Sequence, residues 1–294
     1  MSKRVLITGF KGFTGQYMST VLTSAGYEVF GLGNSGSTQG NYFVANLLDQ
    51  SELNSVIKHI KPDYVVHLAA IAFVGHGTPN DFYNVNLIGT RNLLETLAFS
   101  GAPIKKILVA SSANVYGNQA SGLLDESTPF SPANDYAISK IAMEYVCNLW
   151  SKKLPIVIAR PFNYTGVGQQ DNFLIPKIVK HFRERAEVIE LGNINVERDF
   201  NDVRSVVGAY LGLLEDGEVG KVYNVACGRP LSLMSIIESC QEITGHRVEV
   251  TVNPAFVRAN EVKVLAGENK KLRSLLPDWH PIDMSDTLHW MLKP

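Results

Sequence analysis

Short apolar runs alternate with amphipathic segments over the first half of the chain. The runs typical of buried strands are Arg4–Gly9, Tyr27–Leu32, Asp63–Leu68, Lys106–Ala110 and Pro155–Arg160. Helical spacing predicts helices at Gly15–Ser24, Ser51–Ile60, Asp81–Phe99 and Pro132–Leu149, and a loop rich in Gly, Ser and Asn at Gly33–Gly40. Strands that alternate with helices predict an α/β fold, a doubly wound parallel sheet with right-handed crossovers.

The alternation becomes irregular after Asn163. Helices are predicted at Phe173–Arg185, Val203–Leu214, Ser232–Thr244 and Ser285–Leu292, and strands at Val188–Leu191, Lys221–Ala226 and Val248–Val252. We expect Lys221–Ala226 to return to the main sheet. The sequence therefore predicts a first domain of residues 1–163 plus 198–226, and a smaller, discontinuous second domain of residues 164–197 and 227–294.

Composition narrows the class of protein. The 294 residues include 27 Lys plus Arg and 28 Asp plus Glu, so net charge provides no general attraction to nucleic acid or an acidic membrane. The longest apolar stretch, Val65–Val74, is too short to span a bilayer. The few apolar residues before Gly9 are too few for a signal peptide. Three scattered cysteines favour neither a disulfide framework nor a zinc site. We expect a cytoplasmic protein without bound metal.

A glycine motif follows the first predicted strand. Gly9, Gly12 and Gly15 stand where that strand gives way to a helix, the position at which a glycine loop and a helix N-terminus bind a dinucleotide pyrophosphate. The second strand ends without the acid that would bind an adenosine 2′-hydroxyl and mark NAD. This favours NADPH, with Lys11 and the hydroxyls of Ser35 and Ser37 as partners for a 2′-phosphate, although NADH stays possible.

A phenol and an ammonium share one face of the predicted helix at Pro132–Leu149. Tyr136 and Lys140 are four residues apart, so Lys140 is expected to lower the pKa of Tyr136 and allow proton exchange with a sugar oxygen. Ser111 and Ser112 follow the fourth apolar strand, at the sheet edge where open α/β sheets bind ligands. These residues form a candidate catalytic set.

Together, the three glycines, Ser112, Tyr136 and Lys140 resemble the extended short-chain dehydrogenase/reductases that act on nucleotide sugars. Further landmarks of that family are His67–Ala70, Asn86–Thr90, Arg160–Asn163 and Arg198–Arg204. The resemblance implies a Rossmann-type domain, a smaller substrate domain and a homodimer. It makes Tyr136 the acid/base, gives Lys140 a bond to the nicotinamide ribose, and gives Ser112 a bond to the reacting oxygen. Ser111 is expected to be structural.

The resemblance also implies the remaining contacts to the cofactor. The residues at the matching positions are Gly9, Lys11, Gly12, Phe13, Gly15, Asn34, Asn46, Leu47, Leu68, Ala69, Ala70, Tyr136, Lys140 and Pro161.

Later segments resemble one branch of the family, the GDP-mannose 4,6-dehydratases and GDP-4-keto-6-deoxymannose reductases. They are Phe162–Gln169, Phe173–Lys177, Gly192–Phe200 and Val257–Val262, the last with Ala259 in place of the usual proline. The resemblance implies that Asn163 and Lys177 hold the diphosphate and sugar. Arg198 and Arg258 would pair with phosphate oxygens, since an arginine fork can bond two of them at once. Glu261 would contact ribose or base.

One position distinguishes the chemistries of that branch. The dehydratases carry a glutamate, which removes the C5 proton, where this chain has Asn114. An amide cannot serve as a general base near neutral pH. We therefore expect a ketoreductase in which Tyr136 protonates the new C4 hydroxyl and Asn114 contacts the sugar. The product would be GDP-D-rhamnose or GDP-6-deoxy-D-talose, as in polysaccharide biosynthesis. Should dehydration occur, His76 is the first candidate base.

Two alternatives stay open. A nucleotide-sugar 4-epimerase with tightly bound NAD needs the same serine, tyrosine and lysine. A non-catalytic NADP(H)-binding sensor would use the fold alone, but it would have no need of the phenol and ammonium pair.

Overall fold

The computed structural model describes residues 3–72, 78–117, 122–257 and 263–293. A seven-stranded, wholly parallel sheet forms the centre of the first region, in the order β3-β2-β1-β4-β5-β7-β11. Its strands are β1 (Lys3–Thr8), β2 (Tyr27–Gly33), β3 (Tyr42–Val44), β4 (Tyr64–His67), β5 (Lys106–Ala110), β7 (Ile156–Pro161) and β11 (Val222–Val225). The order reverses between β1 and β4, which is where sheets of this kind bind ligands.

Helices cover both faces of this sheet. They are α1 (Phe13–Ser24), α2 (Gln50–Ile60), α3 (Pro79–Phe82), α4 (Thr90–Phe99), α5 (Asp135–Trp150) and α7 (Val203–Asp216). Leu53, Leu93 and Met143 place α2, α4 and α5 in one buried cluster, and Met18 and Val206 place α1 and α7 in the cluster on the other face. Apolar residues on both faces explain why the strands are near-continuous hydrophobic runs.

A second region contains a smaller mixed sheet, in which β10 has β12, β14 and β8 as neighbours and β6 pairs with β14. Its strands are β6 (Leu123–Leu124), β8 (Asn163–Thr165), β10 (Glu197–Asp202), β12 (Pro230–Ser232) and β14 (Val264–Gly267), and β9 (Val188–Leu191) pairs separately with β13 (Glu249–Val252). Three helices, α6 (Leu174–Arg183), α8 (Leu233–Thr244) and α10 (Met284–Leu292), share a buried apolar cluster there. A shorter helix, α9 (Lys270–Leu275), places Leu272 in the α1 and α7 cluster.

The predicted fold class is confirmed, and the regular strands and helices lie close to their predicted positions. The predicted helix at Asp81–Phe99 is one helical stretch interrupted by a π-helical segment at Tyr83–Gly89. The predicted two-domain division stays a prediction. The structure places β10 in the smaller sheet, while α7, which follows directly, packs on the larger one.

No helix within the described ranges is long and apolar enough to cross a membrane. Nor do those ranges contain a group of three or more His, Cys, Asp or Glu side chains arranged to hold a metal ion.

Candidate active site

The loop after β1 is too tight for side chains at two of its glycines. Gly9 has φ +70°, and a Cβ there would lie 2.8 Å from the Ala69 nitrogen. A Cβ at Gly15 would lie 2.4 Å from the Gly9 carbonyl oxygen. Gly12 precedes α1, which has no side-chain cap and no acidic residue in its first turn. The loop therefore leaves a helix N-terminus with free N–H groups at the switch point of the sheet, as anion binding requires.

The other predicted cofactor residues surround this loop at the same edge of the sheet. Asn34 follows β2, Asn46 and Leu47 follow β3, Leu68 to Ala70 follow β4, and Pro161 ends β7. Lys11 reaches from the loop toward the end of β2, with its Nζ 4.0 Å from the centroid of the Tyr42 ring. Because the strands are parallel, their carboxyl ends bring residues that are distant in sequence to one edge.

The candidate catalytic side chains are buried at this edge. Ser112 is 6% exposed, Tyr136 6% and Lys140 3%. Ser112 precedes a 3₁₀ turn at Ala113–Tyr116. Tyr136 and Lys140 lie in the first two turns of α5, which begins after Asn134, whose side chain accepts a hydrogen bond from the Ala137 N–H at 2.9 Å. The Asn134 cap thus fixes the start of α5 and with it the positions of Tyr136 and Lys140.

The expectation that Lys140 lowers the pKa of Tyr136 is wrong for this structure. Burial raises the pKa of Tyr136 to about 12, and a hydrogen bond with the Ser112 side chain opposes the rise. The Lys140 ammonium donates instead to the Ala110 carbonyl at 2.9 Å, and burial lowers the pKa of Lys140 to about 8. Tyr136 is therefore a protonated phenol near neutral pH, which is the form that a general acid needs.

Asn114 contacts Ser112 directly. Its backbone N–H and its side-chain Nδ2–H both donate to Ser112 Oγ, at 3.2 and 3.1 Å. A hydroxyl oxygen has two acceptor positions and one proton. With both acceptor positions engaged, the Ser112 O–H is directed to act as a donor, toward Tyr136 or a substrate oxygen.

Ser111 faces away from Ser112 into a buried polar network. It donates to Glu144 at 2.5 Å, and Glu144 accepts two bonds from Arg160 at 2.9 and 2.7 Å. Arg160 also donates to the hydroxyl of Tyr116 at 2.9 Å, and that hydroxyl donates to Asn224 at 2.6 Å. These contacts anchor both ends of the 3₁₀ turn that carries Asn114, and they agree with a structural role for Ser111.

A second buried chain links the glycine loop to α5. Thr90 donates to the Asn86 carbonyl at 2.7 Å, so its oxygen accepts from His67 Nε2 at 2.7 Å, and His67 Nδ1 accepts from Thr8 at 2.6 Å. Asn86 in turn donates to Ser139 at 3.0 Å. Burial, and then the charge of Lys140, lower the pKa of His67 to about 3. The sequence indicated His67 as part of a family landmark but not its partners, which are more than twenty residues away.

Apart from Asn114, the predicted substrate residues that the structure describes lie in the second region. Asn163 begins β8, and its carbonyl accepts from Asn201 at 3.1 Å. Lys177 on α6 donates to the Glu190 carbonyl at 2.7 Å, and its Nζ lies 4.6 Å from the Phe256 ring centroid. Arg198 on β10 donates to the carbonyl of Glu197 at 2.8 Å.

Three further residues, Arg258, Glu261 and His76, lie outside the described residues.

Comparison with known proteins gives consistent matches along the chain. Residues 5–226 match the model of the NAD dependent epimerase/dehydratase family. GDP-6-deoxy-D-talose 4-dehydrogenase of Aggregatibacter actinomycetemcomitans is 34% identical, with 93% of this chain and 91% of the relative covered. GDP-6-deoxy-D-mannose reductase of Pseudomonas aeruginosa is also 34% identical, with 96% and 93% covered.

Two solved structures cover 99% of this chain. One, a Burkholderia cenocepacia J2315 protein for which an epimerase function has been suggested, has 45% identity, a TM-score of 0.94 and 97% of its own chain covered. The other, RMD from Pseudomonas aeruginosa in complex with NADPH, has 32% identity, a TM-score of 0.87 and 98% covered. The chain belongs to the NAD dependent epimerase/dehydratase family, the extended short-chain dehydrogenase/reductase group predicted from its sequence.

Proposed function

We propose that this protein is an NADPH-dependent reductase of the C4 ketone of GDP-4-keto-6-deoxy-D-mannose, and that it forms GDP-D-rhamnose or GDP-6-deoxy-D-talose. Its relatives include a dehydrogenase and a reductase of GDP-linked 6-deoxyhexoses, which supports an oxidoreductase acting on a GDP-deoxysugar. The choice of ketone reduction over dehydration depends on one observation, the Asn114 amide next to Ser112.

The residues present fit a dinucleotide cofactor. The close approach of Gly15 to the Gly9 carbonyl and the uncapped start of α1 suit a pyrophosphate. Gly9, Gly12 and Gly15 would hold that group, Lys11 would hold the adenosine end, and Lys140 the nicotinamide ribose. When bound, the nicotinamide supplies the hydride that ketone reduction requires.

Tyr136 is suited to donate the matching proton. Its phenol is protonated near neutral pH because burial raises its pKa to about 12. A growing negative charge on the sugar C4 oxygen would draw that proton, and the Ser112 O–H would bond the same oxygen. Lys140, a buried ammonium close to the same edge, favours that negative charge.

The amide side chain of Asn114 is the main support for ketone reduction rather than dehydration. Dehydration needs a base with a free lone pair at C5, whereas reduction of a ketone needs a hydride and one acid. The Asn114 side chain instead donates to Ser112, 3.1 Å away. A carboxylate at this position would accept a hydrogen bond from the Ser112 hydroxyl and so reverse the direction of that hydrogen bond. The amide thus favours the reductase arrangement and removes the dehydratase base.

Paired incubations test this function. With GDP-mannose and NADP we expect no 4-keto-6-deoxy product. With GDP-4-keto-6-deoxymannose, supplied by a separate dehydratase, we expect NADPH consumption in proportion to product, and product NMR assigns the C4 configuration. Robust dehydration of GDP-mannose by the purified protein would overturn the proposal. Turnover without NADPH consumption, by protein that copurifies with NAD, would identify an epimerase instead.

A variant sharpens the test. Asn114→Glu should slow ketone reduction, because the carboxylate would accept the hydrogen bond that the Ser112 hydroxyl should donate to the substrate, and it should not by itself produce dehydration. Asn114→Gln keeps an amide and serves as the matched control, expected to retain more reductase activity than Asn114→Glu.

We also propose a homodimer that forms through α4 and α5. Large apolar side chains are exposed on these neighbouring helices: Phe99 is 69% exposed, Tyr145 61% and Leu149 78%. Such a patch on adjacent helices is typical of a protein interface. Light scattering should give twice the chain mass for the wild type and the monomer mass for Leu149→Glu; a monomeric wild type would contradict the proposal.

A further inference from the structure

Between β1 and α2 the sequence contains one positively charged side chain, that of Lys11. Lys11 is the one cationic Lys or Arg between Arg4 and Lys58, and no Asp or Glu occurs between Glu28 and Asp49. A free lysine side chain samples many rotamers, so holding its ammonium in one place costs conformational entropy. An anion receptor built on Lys11 therefore needs something that positions it.

The Tyr42 ring is placed to do so. Lys11 Nζ lies 4.0 Å from the centroid of that ring, within the range of a cation–π interaction. The same Nζ lies against Gly36: a Cβ added there would be 2.6 Å from it, and Gly36 has φ +90°. The ammonium is thus held between an aromatic face and the loop that follows β2.

Tyr42 is itself fixed from two sides. It is 8% exposed, and its hydroxyl donates to the Ser35 carbonyl at 2.7 Å. A Cβ at Gly33 would lie 2.4 Å from the Tyr42 hydroxyl oxygen, so the ring fits only because Gly33 has no side chain. One residue therefore holds both the cation and the Ser35–Ser37 loop, whose two serine side chains are exposed.

We infer that Tyr42 is a specificity-determining residue for the cofactor: it positions Lys11 through its ring and the Ser35–Ser37 loop through its hydroxyl, so that together they bind the adenosine 2′-phosphate. The inference rests on the proposed use of NADPH. Tyr42 acts through other groups and is a positioning residue. Its effect should appear in the ratio of NADPH to NADH affinity, because NADH has no 2′-phosphate.

Calorimetric titration tests this without turnover. Dissociation constants are measured for NADPH, NADH and adenosine 2′-monophosphate with the wild type and four variants. Lys11→Met should lower the NADPH-to-NADH preference about tenfold or more, since it removes the charge. Tyr42→Leu should lower it about three- to tenfold through loss of the cation–π contact. Tyr42→Phe, which keeps the ring and loses the bond to Ser35, should lower it about threefold.

Lys3→Met is the matched control. Lys3 lies over the Tyr27 ring at 5.2 Å, at the amino end of the same sheet, and its loss should leave the preference unchanged. If Tyr42→Leu does not fold, Tyr42→Phe carries the test. Tyr42 variants with the wild-type preference, beside a Lys11→Met variant that has lost it, would overturn the role of Tyr42 and leave the proposed cofactor intact. A wild type without preference for NADPH would overturn the proposed cofactor itself.

Discussion

The two sheets of this molecule hold their polar residues in different ways. At the carboxyl edge of the seven-stranded sheet, Ser112, Tyr136 and Lys140 are at most 6% exposed, and buried hydrogen bonds surround them. In the second region, Lys177 and Arg198 are half-buried and donate to backbone carbonyls. The first arrangement encloses the candidate reacting groups, while the second leaves its cationic side chains partly open to solvent.

This difference indicates that the first region would carry out the proton transfer and that the second would bind the diphosphate. Proton transfer tolerates little displacement of the reacting groups, so those groups need rigid support. Binding a charged diphosphate draws on charge-assisted hydrogen bonds, which form in the bound ground state as well as in the transition state. Substitutions at the first edge should therefore act on kcat, and substitutions of the half-buried cations of the second region should act on KM.

The largest expected effect follows removal of the Tyr136 hydroxyl. Tyr136→Phe should lower kcat about 100- to 10,000-fold with little change in the affinity for the nucleotide sugar, because the phenol acts mainly in the transition state. Steady-state kinetics with the keto sugar, and a separate binding titration, measure the two effects. A variant that keeps more than about a tenth of the wild-type kcat would show that Tyr136 is not the acid.

Asp199 is a buried carboxylate of the second region. It accepts the N–H groups of Cys227 and Gly228 at 2.9 and 2.8 Å, of Gly267 at 3.3 Å, and the Asn201 amide at 3.0 Å. Asp199→Asn puts an amide donor against buried N–H groups. It should lower the free energy of unfolding by about 3 kcal/mol, as measured by urea denaturation.

An exposed aspartate provides the control for Asp199. Asp171→Asn removes the partner of Lys180 and should leave the free energy of unfolding almost unchanged, because solvent screens an exposed ion pair. Equal losses in the two variants would mean that the second region is no more rigid at Asp199 than at its surface.

The same contrast explains what the sequence could predict. The glycine loop and the Tyr136–Lys140 pair are local sequence patterns. A tight turn fixes the backbone of the loop, and the Asn134 cap fixes the start of the helix that carries the pair. The short strands β8, β10 and β12 were not predicted, because their sequences contain no apolar run of the kind that indicates a buried strand. The partners of His67 and Tyr42 likewise depend on which strand ends meet. The pKa of Tyr136 was predicted in the wrong direction because its burial is a tertiary property.

The pH dependence of the unfolding free energy tests whether His67 is held neutral beside the catalytic edge. Its pKa in the folded state is about 3, below the ordinary value of 6.5, so the folded protein binds fewer protons than the unfolded chain between these values. The stability that this imidazole contributes is present above pH 6.5 and is lost as the pH falls toward 3. Between about pH 8 and about pH 5, His67 should account for about 2 kcal/mol of lost unfolding free energy.

Denaturation of His67→Gln at the same pH values isolates this contribution. The variant should be less stable at neutral pH but should lose less stability on acidification than the wild type. His289→Gln, on an exposed face of α10, should follow the wild-type pH dependence. A His67→Gln curve parallel to that of the wild type would mean that His67 is not held neutral in the folded state.

The smallest expected effect is that of Lys177, which lies in the second region. Its Nζ, bonded to the Glu190 carbonyl and lying over the Phe256 ring, would exchange these neighbours for the diphosphate when the nucleotide sugar binds. Lys177→Met should raise KM for the sugar nucleotide about tenfold and change kcat less than about threefold, since one charge-assisted hydrogen bond is lost equally from the ground and transition states. Lys180→Met, one turn further along α6 and paired with Asp171, should leave both constants unchanged. A fall in kcat with unchanged KM for Lys177→Met would place this lysine among the catalytic groups, and the division between a catalytic edge and a binding region would then be wrong.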